Sequence, residues 1–136
     1  MQTLDPIKYE MFYNRVEQAL IEAKNTVRYL AGSVIVREGG EVGESLHLPD
    51  GATVHLSAGL LMHIQSSART IMYMNENGFA EDIGYYEGDQ FINNNAHIGG
   101  QHIPDMQVVD PFLGRVNLWA GLELSVISLK SVPLNP

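Results

Sequence analysis

The first feature that limits what this chain can fold into is a long apolar stripe at helical spacing. Ile7, Met11/Phe12, Val16, Ala19/Leu20, Ala23, Val27 and Leu30 recur every three to four residues, which places them on one face of a helix directed at a core or a partner. Asp5 suits the N-cap. Pro6 suits the first helical position, where its missing N–H costs nothing. Gly32 is the expected C-cap, and Arg28 falls in the last turn, where a cation complements the helix dipole.

After this helix the period changes. "SVIVRE" (residues 33–38) is β-branched and predicts a strand. "GGEVGES" reads as a loop, and Glu41 and Glu44 within it, with Glu38 just before it, form an exposed acidic cluster. "LHLPDGATVHL" predicts a hairpin around Pro49, Asp50 and Gly51. His47 and His55 in that hairpin are expected to point to solvent. "AGLLMHIQSSARTIMYM" predicts a second helix, with Leu60/Leu61, Ile64, Ala68 and Ile71/Met72 on one face. "NENGFAEDIGYYEGD" reads as a polar connection, and Asp89 beside Gly88 is explained by a turn. "QFINN" and "MQVVDPF" read as strands, and "GRVNLWAGLELSVISL" as a further strand or strand pair. The expected fold is α+β: two helices packed on a mixed, mainly antiparallel sheet in a single domain, residues 1–136.

Composition narrows the function. The net charge of −8 argues against nucleic acid, whose binding requires cations to neutralise phosphates, and against an anionic membrane surface. No apolar run is long enough for a bilayer, and no basic-then-apolar leader opens the chain, so a cytoplasmic protein is expected. The absence of cysteine removes disulfides, thiolate metal sites and a cysteine nucleophile. The "IQSSART" serines lack the strand–turn–helix setting of a nucleophile elbow. There is no Walker-type lysine, so ATP is not expected to bind through a phosphate loop.

The segment richest in possible chemistry is "NNNAHIGGQHIPDMQVVDP". His97, His102 and Asp105 are ligand types for Mn, Fe or Zn, and Gly99 and Gly100 would let the loop fold back so that the rings converge. Spacing within a loop constrains little, so a solvated loop remains open. His63, beside the apolar face of the second helix, reads either as a hydrogen-bonded histidine at the core edge or as a further ligand.

This loop resembles the "NDPY-x-GG-x-H-x-PD" signature of the hydantoinase B/oxoprolinase family. Further segments are similar in the same order. "DPIKYEMFYNR" resembles the family's N-terminal helix, "VREGGEVGESLHLPDG" its loop and hairpin, and "GLLMHIQSSARTIM" its "H-x-x-S" helix. "EGDQFINNN" resembles its "GD-x-F-x-ND". The likeness runs to about Trp119 and is strongest toward the branch of acetone and acetophenone carboxylase subunits. It implies a divalent metal held by His102 and Asp105, with His63 lining the same region as ligand or proton shuttle. His97 stands where the family has tyrosine, and "NDP" is replaced by Asn94, Asn95 and Ala96. The resemblance also implies a multi-subunit complex. In it a hydantoinase A-type partner uses ATP to activate a carbonyl oxygen, and the B-type subunit acts on a ketone or cyclic amide. The alternatives are a non-catalytic assembly subunit and a small stand-alone metalloenzyme recruiting Glu41, Glu44 or His63.

The tail departs from the family's histidine-containing strand. Permitted codons for "SLKSVPLNP", read one frame over, give "IEVSAIEP", close to the family's "EVGAIEP". The expectation is an out-of-frame tail from about residue 121 to 136 on the N-terminal piece of a longer subunit. Alone, such a piece is expected to be inactive and to associate through uncovered apolar faces.

Overall fold

The computed structural model describes residues 5–57, 65–100, 104–112 and 118–125. Helix α1 spans Pro6–Leu30, opened as expected by Asp5, whose carboxylate accepts from the Ile7 N–H at 3.1 Å. It ends on Ala31 in an extended conformation, not on Gly32. The chain stays inside ordinary φ/ψ space there and needs no left-handed residue.

The β-branched run that predicted a strand is instead a five-residue π-helical turn, Ile35–Gly39. Local propensity is overridden by tertiary contacts. Val36 is buried, Arg28 Nη2 donates to the Arg37 carbonyl at 3.1 Å, and Gly40 closes the turn in the left-handed region at φ 68°. The strand begins later than expected. β1 is Val42–His47 and β2 is Thr53–Ser57, paired antiparallel with a register shift between Leu46 and His47. Much of the segment read as an acidic loop is therefore strand, and Glu44 is buried rather than exposed.

Helix α2 is Ser66–Glu76 and a short α3 is Phe79–Asp82, inside the segment read as a polar connection. Residues 58–64, including His63, lie outside the described residues. The buried face of α2 is Ser66, Ser67, Thr70, Ile71 and Met74; Met72, expected inside, is 38% exposed. β3 is Phe91–Asn93, β4 is Asp105–Phe112 and β5 is Leu118–Ser125. The expected tail overlaps β5 and beyond Ser125 lies outside the described residues.

The strands form one sheet in the order β2-β1-β5-β4-β3, and every pairing among the described residues is antiparallel rather than mixed. Its register separates the helices. Glu44 stands opposite Leu122, and Leu122 opposite Val108, so Glu44 shares a face with Val108 and not with Val109. α2 packs on the Val109 face, where Ile71, Met74 and Val109 form a core bordered by Phe79, Tyr85 and Phe91. α1 packs on the other face: Lys24 acts on Glu44, and Tyr13 meets the His55 ring edge-on at 4.5 Å. The α1 stripe is only partly used. Val16, Leu20 and Val27 are half-buried, whereas Ile7 is 71% and Phe12 53% exposed. No helix among the described residues is long and apolar enough to cross a membrane.

Candidate functional site

The loop after β3 is shaped by its own asparagines. Asn93 Oδ1 accepts from the Asn95 N–H at 2.8 Å, and Asn95 Oδ1 accepts from the His97 N–H at 2.9 Å. The Asn95 carbonyl then takes the N–H groups of Ile98 and Gly100 at 3.0 and 3.1 Å. Side-chain capping of this kind lets a turn form without a sheet ladder. Gly99 has φ 149°, and a Cβ there would lie 2.8 Å from the Ser66 carbonyl oxygen. The loop backbone is thereby set directly against α2. Between them lies a groove of about 510 Å³, with Arg69 and Met72 on one wall and His97 and Gly100 on the other.

Below the groove a polar network ties three elements. The Thr70 hydroxyl donates to Gln107 Oε1, while Asn93 Nδ2 reaches Thr70 Oγ1 at 2.9 Å and Gln107 Oε1 at 3.3 Å. Gln107 is fully buried, and its Nε2 has no partner. Asp105, two residues earlier on the same face of β4, is fully buried as well. The hydrogen bonds therefore run without a break from β4, through α2 and β3, to the loop that carries His97.

His97 is exposed on its turn, and Asp105 is buried at the start of β4. His102 and His63 lie outside the described residues. Among the described residues no three His, Asp or Glu groups gather closely enough for a metal. The sequence could have flagged Gln107, because strict alternation along "DMQVV" puts it on the Asp105 face. Thr70 and Asn93 carried no such signal, because their partners are distant in sequence.

The other titratable candidates resolve into structure. His47, expected in solvent, is fully buried. Its Nδ1 faces the Gly51 carbonyl at 3.3 Å and its Nε2 the Ser45 hydroxyl at 2.8 Å. A carbonyl only accepts, so Nδ1 carries the proton and Nε2 accepts from Ser45. Burial holds its pKa below the ordinary value. His55 is half-buried against Tyr13. Glu44 is pushed up to about 7 by burial, against the pull of Lys24 and of its own backbone N–H. Asp89 Oδ2 accepts from the Tyr86 N–H at 2.8 Å, which is the turn role expected of it.

Comparison with known proteins places this arrangement. The family model described as hydantoinase B/oxoprolinase matches residues 5–125. The chain is 29% identical over 130 residues to the acetone carboxylase alpha subunit of Xanthobacter autotrophicus (strain ATCC BAA-1158 / Py2), covering 94% of this chain and 17% of the relative. It is 26% identical over 110 residues to the 5-oxoprolinase of Dictyostelium discoideum, covering 79% of this chain and 8% of that protein. A nucleotide-free acetone carboxylase structure superposes with a TM-score of 0.87 at 28% identity, over 94% of this chain and 17% of the other. An ATP-dependent caprolactamase from Pseudomonas jessenii shares the fold, with a TM-score of 0.60 at 19% identity over 92% of this chain and 21% of the other. The chain thus spans less than a fifth of the length of either curated relative.

Proposed function

Because the chain belongs to the hydantoinase B/oxoprolinase family, we propose that it forms part of a hydantoinase B-type subunit of an ATP-dependent carboxylase or hydantoinase complex. The observation that carries this is the likeness in sequence and backbone to acetone carboxylase. The substrate in this reading is a small ketone or cyclic amide, attacked at or activated through its carbonyl. ATP is used by a hydantoinase A-type partner. The chain is cytoplasmic and inactive alone.

His102 and Asp105 are proposed as ligands of Mn, Fe or Zn, which as a bound Lewis acid would polarise the carbonyl. Two protein ligands do not complete a catalytic centre, and the described residues do not supply a third. His97 is the weaker candidate because its turn carries it to the surface. His63 is proposed as a proton shuttle. What the described residues contribute is rigidity: Asn93, Asn95, Thr70 and Gln107 fix the loop between the groove and β4.

The test is metal analysis of the purified chain, alone and with any co-purifying partner. Near-stoichiometric metal that disappears in His102→Ala supports the catalytic reading. Metal in neither preparation overturns it and leaves a non-catalytic assembly subunit. That second reading is favoured by one observation: Asn95 at its position is occupied in shaping the loop, through its side chain and its carbonyl.

A further inference from the structure

On the α1 side of the sheet, away from the groove, a cavity of about 170 Å³ lies between the end of α1 and the π-helical turn. Asn25, Arg28, Tyr29 and Arg37 line it. The first three are neighbours on one helix face at i, i+3 and i+4, and Arg37 comes from the turn opposite. The whole chain has eight Lys and Arg residues against sixteen Asp and Glu, yet two of its five arginines, Arg28 and Arg37, converge here. We propose that this cavity is an oxyanion site that takes a phosphate group.

Three observations carry the assignment. Arg28 has five N–H donors. Nη2 is spent on the Arg37 carbonyl at 3.1 Å, whereas Nε is buried with no acceptor. A buried donor without a partner costs stability that a bound acceptor restores. Second, two guanidinium groups line one small space, where an anion between them would offset their mutual repulsion. Glu38 meets this need in part, pairing with Arg37 Nε at 2.9 Å, but its side chain is 67% exposed and outside the cavity lining. Third, the donors come from two sides, from the helix and from the turn. That arrangement suits the several oxygens of a tetrahedral group, which arginine binds through paired hydrogen bonds. A carboxylate offers two oxygens in one plane. The inference does not depend on the carbonyl chemistry proposed above.

The test is titration of the full chain with inorganic phosphate at constant ionic strength, followed by calorimetry and phosphorus NMR, with ADP and acetate as parallel arms. Saturable phosphate binding is expected. Arg37→Gln should weaken it at least tenfold while preserving the Arg28 contact, because that contact is to the backbone carbonyl of residue 37. Arg28→Gln should weaken it at least as much. Glu38→Gln should tighten it several-fold by removing the competing carboxylate, and Arg15→Gln, near the other end of α1, should leave it unchanged. ADP binding tighter than phosphate identifies a nucleotide as the source, and equal binding identifies free phosphate. No saturable binding, equal binding of acetate, or equal loss in Arg37→Gln and Arg15→Gln overturns the proposal.

Discussion

The Thr70 hydroxyl donates to the side-chain carbonyl of Gln107, joining α2 to β4 across thirty-seven residues of sequence. Both residues are buried, and Asn93 Nδ2 completes a triangle with them. Removing one member of such a buried network leaves the others without their partners. Thr70→Val keeps the shape but strips the donor from Gln107 and the acceptor from Asn93. The expected loss is about 2–3 kcal/mol, measured by urea unfolding. Thr70→Ser should recover most of it. Equal stability of the valine variant would mean that the network contributes nothing.

Glu44 makes stability depend on pH. Below its unfolded value of 4.5 both states are protonated. Between 4.5 and about 7 the folded state keeps the proton and the unfolded state releases it. Stability therefore falls as pH rises through this window and levels off above it. Glu44→Gln cannot ionise, so at pH 8 it should be more stable than the parent by about 3 kcal/mol, with the difference vanishing near pH 4. Unfolding curves at pH 4, 6 and 8 check both the sign and the window.

His47 acts in the opposite direction. Burial lowers its pKa, so the stability it contributes is complete above 6.5 and is lost as pH falls through the depressed folded value. Protonation also forces Nε2 to donate where it now accepts from Ser45. NMR of the imidazole should show the Nδ1–H tautomer at neutral pH, and acid unfolding should begin with disruption of the β1–β2 hairpin. A His47 that titrates at its ordinary value would contradict this.

Gly99→Ala should damage the loop selectively. Its φ of 149° disfavours a side chain, and the added carbon would meet the backbone oxygen of Ser66 at 2.8 Å. Neither backbone can yield cheaply, so a loss of about 1–3 kcal/mol is expected. Hydrogen exchange should quicken at the His97 and Gly100 amides, whose acceptors lie within the same turn. Unchanged protection there would show that the loop does not depend on its approach to α2.

The sequence by itself determined α1 and its Asp5 cap, the β1–β2 hairpin, the strands on either side of the loop, and the family. Each of these rests on local information: a hydrophobic period, a capping residue, a turn or a linear motif. Only the tertiary structure decided the fate of residues whose surroundings are built by distant segments. Residues 35–39 became a π-helical turn because Val36 found a core and Arg28 reached the Arg37 carbonyl. Glu44 and His47, polar by composition, are buried because β1 pairs on both sides and lies inside the sheet, next to its β2 edge. Thr70, Asn93 and Gln107 became one network because antiparallel pairing of β3 with β4 sets Asn93 opposite Gln107, beneath α2. A linear pattern reports which residues share an element's face. It does not report which face meets which, and that decides whether a polar group is solvated, satisfied or left waiting for a ligand.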